Sequence, residues 1–480
     1  MFPMIELFKT PNNYYLFDAC KSEAIPISKS TFETIRYLLQ KNDAPEPMIP
    51  TELEELKAQG YLLSESPVLK VRHPYTDYLK DLLDRKLSKL TIQLTQDCNF
   101  RCKYCVYSHE HSMRQRSHSK KSIPLETAKK AIDFLRAHSI DSPSVNVGFY
   151  GGEPLLEFPM MKELVQYSID CFAGKDLTFN ITTNGTLLSD EVIYFCEENE
   201  VSLMISLDGP KEINDLNRVF INGKGTFDAV IERVNRVREI APGYAEKLQI
   251  SMVMDPTNDF DCINEICMDD SALKRLSIQP SIVEREYGDE RTYASIQYIW
   301  KIEYQRFLAI LAYYGRFPKD NVSPIAENWL TRVLYDSSLI ENKGMLRSED
   351  APSGPCIPGQ LRLFVNADGL FFPCERVSEK SPAMCIGSID SGFNIEKAYR
   401  ILNVGSLTEA ECRNCWCFRL CTLCAKKADD NSEELSERVK KSYCPEIRIG
   451  AYSTVQQYLL FKEIPVYYPN HVRANWENIL

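Results

Sequence analysis

The sequence Cys98-Asn99-Phe100-Arg101-Cys102-Lys103-Tyr104-Cys105 directly follows the apolar run at 90–95. This run predicts a buried β-strand, so the three cysteines are expected on the loop that leaves it. Cysteine thiolates are the usual ligands of [4Fe–4S] clusters, which take four ligands in all. Three thiolates at C-x3-C-x2-C spacing therefore predict a cluster with one iron open to another ligand. Zinc is the alternative and would need a fourth protein ligand, for which His109 and His111 are close in sequence.

The composition predicts a soluble globular protein of two or three domains. The chain has 480 residues, of which 44% are hydrophobic and 26% charged, and its net charge is −11 at pH 7. This length allows a large buried core, while a nucleic-acid-binding surface normally needs a basic face. No apolar run approaches the ~20 residues of a membrane span, and residues 1–6 lack the pattern of a signal peptide. We expect a cytoplasmic protein with neither nucleic-acid nor membrane partners.

The seventeen cysteines are unevenly placed. Three lie at 98–105 and a second group lies between Cys356 and Cys444, while isolated cysteines such as Cys171 are typical of small buried apolar side chains. In a long chain without an export signal, such groups indicate metal or catalytic thiols rather than disulfides.

Strand and helix patterns alternate through the middle of the chain. Strands are predicted at 90–95, 145–150, 177–182, 202–207, 248–254 and 276–282. Amphipathic helices are predicted near 125–138, 159–172, 189–199, 226–240 and 259–268. Six β–α repeats predict an α/β fold with a parallel barrel or an open sheet covered by helices. Ligands of such folds collect at the carboxyl ends of the strands.

Polar and glycine motifs follow three of these strands. Gly151-Gly152-Glu153-Pro154 ends the second strand, Asn184 follows the third, and Ser206 and Asp208 end the fourth, with Arg218 ten residues later. Glycines admit a ligand close to the backbone, a carboxylate accepts from an ammonium group, and a guanidinium pairs with a carboxylate. Simple turns and a surface ion pair are the structural alternatives.

The chain ends in a second cysteine array. Residues 361–365 and 370–372 predict a hairpin around Asn366-Ala367-Asp368-Gly369. The array itself consists of Cys356, Cys374, Cys412, Cys415, Cys417, Cys421, Cys424 and Cys444. Two CxxC pairs with flanking cysteines indicate metal, and more than four thiols indicate more than one centre. Two zinc sites would satisfy this count.

The cysteine loop, followed by the GGEP element, resembles the radical SAM superfamily. The resemblance implies that Cys98, Cys102 and Cys105 hold a catalytic [4Fe–4S] cluster whose open iron chelates S-adenosylmethionine (SAM). It also implies that Tyr104 belongs to the cluster motif and that Gly151, Gly152 and Glu153 contact the SAM amino group. Ser206 and Arg218 would contact its ribose and carboxylate, and Asn184 and Asp208 would place polar groups at the same site.

The order C-x12-G-x4-C…C-x2-C-x5-C…C behind that core resembles a SPASM domain, which carries two auxiliary [4Fe–4S] clusters. The resemblance assigns Cys412, Cys415, Cys421 and Cys444 to an outer cluster, and Cys356, Cys374 and Cys424 to an inner one. The chain departs from the family pattern in two places. Two residues, not three, separate Cys421 from Cys424, and Arg362 stands where fully ligated members have a cysteine. We expect an inner cluster in which one iron lacks a protein ligand. The alternatives are that Cys417 or Cys385 supplies this fourth ligand.

Residues 1–85 predict a separate module of two short strands, two helices and a closing strand at 61–63. Its structural alternative is a cap that covers the barrel. Placed before a radical SAM core, it resembles the winged-helix-like recognition element of enzymes that modify ribosomal peptides, which implies docking of a leader segment by β-augmentation. The predicted organisation is 1–85 recognition element, 86–285 partial (β/α)6 radical SAM barrel, 286–350 helical bridge, 351–455 SPASM domain and 456–480 tail. Aromatic residues of the bridge are expected in a core.

The resemblance implies an oxidoreductase that installs thioether crosslinks, from cysteine sulfur to carbon, in a ribosomal precursor peptide. A 5′-deoxyadenosyl radical would abstract hydrogen, and a flavodoxin or ferredoxin-like donor would supply electrons. The alternatives are formylglycine formation, as by an anaerobic sulfatase maturase, carbon–carbon peptide crosslinking, and a non-enzymatic zinc-binding peptide adaptor.

Overall fold

A computed structural model describes residues 4–40, 49–108, 115–268, 273, 276–283, 294–340 and 343–467. The strands are β1 (Ile5–Lys9), β2 (Tyr14–Asp18), β3 (Glu23–Ile27), β4 (Lys70–Val71), β5 (Lys89–Thr95), β6 (Ser144–Gly151), β7 (Asp176–Thr183), β8 (Ser202–Ser206), β9 (Gln249–Met254), β10 (Ser277–Ile282), β11 (Glu349–Asp350), β12 (Leu363–Val365), β13 (Leu370–Phe372), β14 (Gly387–Ser388) and β15 (Gly392–Phe393). The helices are α1 (Lys29–Gln40), α2 (Thr51–Ala58), α3 (Leu79–Arg85), α4 (Leu125–His138), α5 (Phe158–Cys171), α6 (Asp190–Glu198), α7 (Lys211–Asn217), α8 (Phe227–Ile240), α9 (Pro242–Ala245), α10 (Phe260–Met268), α11 (Ile296–Tyr313), α12 (Pro324–Ser338), α13 (Ile395–Leu402), α14 (Glu409–Cys412) and α15 (Glu437–Tyr467).

The chain divides into two compact units. The central unit comprises residues 78–330 and 357–398, and the terminal unit comprises residues 1–77, 331–356 and 399–480. Residues near both chain ends therefore share one unit, whereas the sequence analysis places them in separate domains. The predicted boundary at 455 falls inside α15.

The central unit is built on one sheet. Strands β5 to β10 are parallel neighbours in chain order, and at the other edge β5 pairs in parallel with β12. The β12–β13 hairpin continues into β14 and β15. All six predicted parallel strands, the five helices predicted between them and the hairpin are confirmed, so the α/β class is correct. Apolar runs such as β5, buried over six of its seven residues, are typical of strands covered on both faces.

The expectation that the bridge aromatics belong to a core is wrong for one face of α11. Tyr298 is buried, but Trp300, Tyr304 and Phe307 are 67%, 59% and 53% exposed. These three residues recur at helical spacing and share a stripe. The composition of the helix could not show which of its aromatic residues are exposed and which are buried.

The terminal unit contains the antiparallel sheet β1-β2-β3. One face, including Leu7 and Leu16, packs with Phe32 of α1 and Leu53 of α2. The other face packs with α15 and the cysteine-rich segment. The period-two alternation of a strand explains how one sheet serves both cores.

The predicted closing strand at 61–63 is wrong. Leu62 has φ +59°, which excludes the extended conformation of a strand. Its N–H donates to Oδ2 of Asp18 at 3.0 Å, so a side chain takes the place of a strand partner. The third strand of the sheet is instead β1, which was not predicted.

Trp416 lies at the junction of the sheet with the cysteine-rich segment, between Cys415 and Cys417 in sequence. Its ring meets Phe8 and Phe17 edge-on, with centroids 6.1 Å and 6.3 Å apart. Tyr452 of α15 stacks on Phe8 at 4.5 Å.

Within the described part of the chain, none of the helices is apolar over a length that could cross a bilayer.

Candidate functional site

The cysteine loop leaves β5 at the carboxyl edge of the parallel strands. Its backbone is paired with the segment 217–221, where the N–H of Arg101 donates to the carbonyl of Val219 at 2.8 Å. Phe100 packs edge-on against Phe220 with ring centroids 5.1 Å apart. The three thiols thus lie on a loop that is held by Val219 and Phe220. The sequence motifs did not indicate either of these two residues.

Two of the three thiols are buried, and Cys105 is half-buried. Burial raises the pKa of Cys98 to about 12 and that of Cys102 to about 11. Without metal these thiols are therefore neutral at pH 7. A bound metal ion deprotonates a coordinating thiol outright, so cluster assembly here would release protons.

The described side chains do not form a closed zinc site. No group of three or more His, Cys, Asp and Glu side chains among them is arranged to hold a single metal ion. The candidate fourth ligands His109 and His111 lie outside the described residues.

Gly151 and Gly152 run against the end of β5 without room for a side chain. A Cβ at Gly151 would lie 2.2 Å from the carbonyl oxygen of Thr95, and one at Gly152 would lie 2.0 Å from that of Asp97. Gly151 also has φ +143°, which favours glycine. Close approach of two strand ends thus requires both glycines, whatever ligand binds beside them.

Glu153 is fully buried, and its carboxylate is hydrogen-bonded by three groups of the surrounding protein. Its carboxylate accepts hydrogen bonds from the N–H of Leu155 at 3.0 Å, the hydroxyl of Thr183 at 2.7 Å and the N–H of Asn184 at 2.7 Å. Burial raises the pKa of this carboxyl. Glu153 therefore joins the glycine motif to the end of β7, and Thr183 is a partner that the sequence did not indicate.

Asn184 links the end of β7 to the cysteine loop. Its Nδ2 donates to Oδ1 of Asn99 at 2.7 Å, and Nδ2 of Asn99 donates to the hydroxyl of Thr186 at 3.0 Å. Ser206 ends the neighbouring strand β8 and is half-buried. The structure thus brings the motifs predicted at strand ends to one edge of the sheet.

Asp208, Arg218 and Tyr104 form a buried charged group beside the cysteine loop. The Tyr104 hydroxyl donates to Oδ2 of Asp208 at 2.5 Å, and Nε of Arg218 lies 3.0 Å from Oδ1. The N–H of Val253 also donates to Oδ1 of Asp208, at 3.1 Å. Although burial opposes its charge, the neighbouring Asp208 carboxylate holds the pKa of Arg218 above its ordinary value.

Arg218 keeps an unused donor in this buried setting. Its Nε is shielded from solvent and makes no hydrogen bond among the described residues, although Asp208 is close, because the N–H is not directed at the oxygen. Buried donors are normally satisfied. A carboxylate ligand would satisfy this one, so the residues present fit the binding of SAM.

The four cysteines predicted for the outer cluster line one cavity of the terminal unit. This cavity has a volume of about 240 Å³ and is lined by Cys412, Cys415, Cys421 and Cys444. Four thiols around one cavity are the donor set that a [4Fe–4S] cluster takes, so the residues present fit such a cluster.

Two further residues of this cavity were not predicted as part of the outer site. Cys417 is buried with its Sγ 3.7 Å from that of Cys415, and the hydrogen bond between the two thiols lowers the pKa of Cys415. The buried Lys440 donates to Sγ of Cys412 at 3.5 Å. A spare cysteine and a lysine on an amphipathic helix carry no distinctive spacing.

The cysteines predicted for the inner cluster are divided between the units. Cys356 and Cys424 belong to the terminal unit, and Cys374 belongs to the central unit. Their assignment to one cluster stays a prediction. Cys385, the alternative ligand, lies with its Sγ 3.6 Å from the carbonyl oxygen of Gly387.

Arg362 stands opposite Cys374 on the β12–β13 hairpin. Phe364 pairs with Phe372, so the antiparallel register extended by two residues sets position 362 across from Cys374. Nη1 of Arg362 forms an ion pair with Oε1 of Glu375 at 2.9 Å. Where the family pattern has a thiolate, this chain therefore has a guanidinium with a carboxylate partner.

Comparison with known proteins places part of this geometry in a family. The model of the radical SAM superfamily matches residues 92–267. An uncharacterised protein of Methanocaldococcus jannaschii is 33% identical over 145 residues, which are 30% of this chain and 46% of that protein. The cysteine-type anaerobic sulfatase-maturating enzyme of Clostridium perfringens is 24% identical over 374 residues, which are 72% of this chain and 91% of the enzyme.

Solved structures show the same fold. Native anSMEcpe with bound AdoMet matches with a TM-score of 0.56 and 22% identity, over 79% of this chain and 98% of that one. The same protein with AdoMet and a Cp18Cys peptide gives a TM-score of 0.53 at 20% identity. Because nearly all of that protein is covered, this chain has an additional part without a counterpart there. Residues 92–267, which include the cysteine loop and the motifs at the strand ends, are therefore similar to the radical SAM superfamily.

Proposed function

We propose that this protein is a radical SAM enzyme that forms thioether crosslinks between cysteine sulfur and carbon in a ribosomally made precursor peptide. The observation that carries the radical SAM part is the fixed loop of Cys98, Cys102 and Cys105 beside the unused donor of Arg218. The peptide part is supported by similarity to a sulfatase-maturating enzyme whose structure is solved with a peptide.

The chain's own residues would bind and orient the cofactors. Cys98, Cys102 and Cys105 would hold a [4Fe–4S] cluster, Arg218 would bind the SAM carboxylate, and Glu153 with its glycines would shape the amino-group site. When bound, the reduced cluster and SAM supply a 5′-deoxyadenosyl radical and methionine, the chemistry being that of the cofactors. Burial around the loop excludes water from this radical.

The proposed reaction is a two-electron oxidation of the peptide. A carbon–hydrogen bond would break as its hydrogen atom passes to the 5′-deoxyadenosyl radical, giving 5′-deoxyadenosine, and a carbon–sulfur bond would form with the cysteine sulfur. The thiol proton would go to solvent, and an auxiliary cluster held by the second cysteine array would take up the remaining electron. The electron consumed in SAM cleavage would come from a flavodoxin or ferredoxin-like donor, so each crosslink removes two hydrogens from the peptide.

The hairpin position of Arg362 supports thioether formation. A cluster bound by Cys374 would lack a thiolate from the opposite strand, which leaves an iron position for another ligand. A substrate cysteine bound there would be deprotonated, as metal ligation requires. The guanidinium of Arg362 is already paired with Glu375, so it would stand beside such a ligand without replacing it.

The sheet β1-β2-β3 supports docking of a leader segment. At its β1–β2 end, the carboxylate of Glu463 in α15 accepts from the hydroxyls of Thr10 and Tyr15, each at 2.7 Å. β3 is an edge strand that, like β1, pairs only with β2 among the described strands. An extended peptide can add to such an edge through main-chain hydrogen bonds.

Formylglycine formation is the second candidate, favoured by the similarity to the Clostridium perfringens enzyme over 72% of this chain. Co-expression with a cysteine-containing precursor peptide encoded beside this gene distinguishes the two. Loss of two hydrogens per crosslink supports thioether formation, whereas formylglycine formation replaces cysteine sulfur by oxygen. A carbon–carbon crosslink gives the same mass loss but leaves the cysteines open to alkylation.

The decisive control replaces Cys98, Cys102 and Cys105 by Ala. We expect this variant to release no 5′-deoxyadenosine under a strong reductant, and unchanged release would refute the assignment of the loop. Colourless protein that binds zinc and does not cleave SAM would support the adaptor alternative. Leader docking is tested separately by hydrogen exchange, which should slow in β3 when a leader peptide binds, while β1 stays unchanged.

A further inference from the structure

Two side chains beyond the four expected ligands contact sulfur atoms of the outer site. Nζ of Lys440 lies 3.5 Å from Sγ of Cys412, and Sγ of Cys417 lies 3.7 Å from Sγ of Cys415. Both residues are buried, at 3% and 2% exposure. Neither belongs to the cysteine spacing that predicts the cluster.

Lys440 is held in place by hydrogen bonds to uncharged oxygen atoms. It lies on α15, one helical turn before Cys444, so both side chains share a face. Its ammonium group donates to the hydroxyl of Thr408 and, at 3.4 Å, to the carbonyl of Gly405. Among the described residues it forms no ion pair, although its charge helps to lower the pKa of Glu411, a carboxyl that lines the same cavity and is ion-paired with Lys441.

A buried ammonium without a counter-ion is costly, so such groups are normally paired. A [4Fe–4S] core with four thiolate ligands is an anion, and it becomes more negative on reduction. A cluster bound by Cys412 and its three partners would therefore supply the missing counter-charge. The position of Lys440 is thus explained by the cluster.

Cys417 can act only as a donor once the cluster is bound. A coordinating cysteine is a thiolate and carries no proton, so a bound Cys415 can only accept. The thiol of Cys417, at hydrogen-bond distance, then donates to it. The four expected ligands already complete the cluster, which leaves Cys417 as a protonated neighbour.

We propose that Lys440 and Cys417 raise the reduction potential of the outer cluster, so that it accepts the electron left by peptide oxidation. Hydrogen bonds to ligand sulfurs and nearby positive charge favour the reduced, more negative form. This inference rests on the proposed function, since it assigns the outer cluster a direction of electron flow. Both are positioning residues, because neither is expected to bind iron or substrate.

The test measures reduction potentials in the full-length protein with Cys98, Cys102 and Cys105 replaced by Ala, so that only auxiliary clusters contribute. Lys440→Met removes the charge and Lys440→Arg retains it. Cys417→Ala removes the donor and Cys417→Ser retains one. Arg438→Met is the matched control, because it removes one charge from an exposed position of the same helix. Iron and sulfide are counted for each variant, and potentials are taken from redox titrations followed by electron paramagnetic resonance.

We expect Lys440→Met to lower the fraction of reduced outer cluster about tenfold at a fixed potential, equal to about 59 mV for a one-electron couple. Cys417→Ala should shift it in the same direction by less, while Lys440→Arg, Cys417→Ser and the control stay near the parent. If Lys440→Met binds less iron than the parent, the potentials of Cys417→Ala and Cys417→Ser decide whether the inference holds. Unchanged potentials with full iron content in Lys440→Met and Cys417→Ala would overturn the inference while leaving the proposed function intact. Absence of any auxiliary cluster in the parent would instead refute the outer site itself, whereas failure to cleave SAM in the unmodified enzyme would refute the proposed function.

Discussion

Replacing Asp208 by Asn is expected to destabilise the central unit by about 3–5 kcal/mol. The side chain of Asp208 is 2% exposed and that of Arg218 is 9% exposed. Removing one member of a buried ion pair typically costs this much, because the other charge stays buried without a partner. The new amide also carries an N–H₂ group, which cannot face the Val253 N–H because that group only donates, so the Tyr104 hydroxyl must reverse its role and accept.

For a unit of this size, each kcal/mol lowers the unfolding midpoint by about 2 °C. We therefore expect the midpoint of Asp208→Asn to fall by about 6–10 °C in thermal unfolding followed by circular dichroism. Asp228→Asn is the matched control. Asp228 pairs with Lys211, and the two side chains are 73% and 55% exposed. Exposed pairs contribute less than about 1 kcal/mol, so its midpoint should fall by less than about 2 °C.

Both variants are compared as metal-free protein, since cluster binding would add its own stabilisation. Equal shifts in the two variants would refute the reasoning that Asp208 and Arg218 are a buried pair. A large shift in Asp208→Asn alone supports it. SAM affinity in the reconstituted protein should also fall, because Asp208 is what holds Arg218 in place.

Three further outcomes follow from individual positions. Gly152→Ala should reduce SAM binding, since its Cβ would meet the carbonyl oxygen of Asp97 at 2.0 Å, whereas Gly243→Ala, with nothing within 4 Å of its Cβ, should leave binding unchanged in a filter assay. Burial lowers the pKa of His118 to about 4, so the folded chain disfavours the proton that the unfolded chain takes up below about 6.5. Stability should therefore fall as the pH falls from 6.5 to 4, and thermal midpoints of His118→Gln should fall less over that window. Arg362→Cys should retain SAM cleavage and lose crosslinking by mass spectrometry, and retained crosslinking would contradict an open iron at that position.

The sequence indicated the central unit well because its signals are local. Each parallel strand is an apolar run followed by a glycine or polar motif, and each helix has its own amphipathic period. The hairpin β12–β13 was equally clear from its turn residues. The missed strand β1 and the misassigned residues 61–63 depended on long-range partners, above all the bond from Leu62 to Asp18.

The candidate site divides in the same way. Motif spacing identified the cysteines, the glycines and Arg218, but it could not show which side chains hold them. Thr183, Val219 and Phe220 reach the site only through folding. Lys440 was invisible because a lysine in an amphipathic helix is normally solvated.

The aromatic contact of Trp416 with Phe8 and Phe17 has a thermodynamic consequence. One side of this indole's backbone carries Cys415 and the other Cys417, while its ring forms part of the core beneath the amino-terminal sheet. Any ligand that orders those thiols must also favour seating of the sheet, and a loosened sheet must weaken retention of the ligand by the same factor. If the sheet were exchanged between related chains, the hybrid would keep its metal only when the aromatic residues of the new sheet pack against the indole of Trp416.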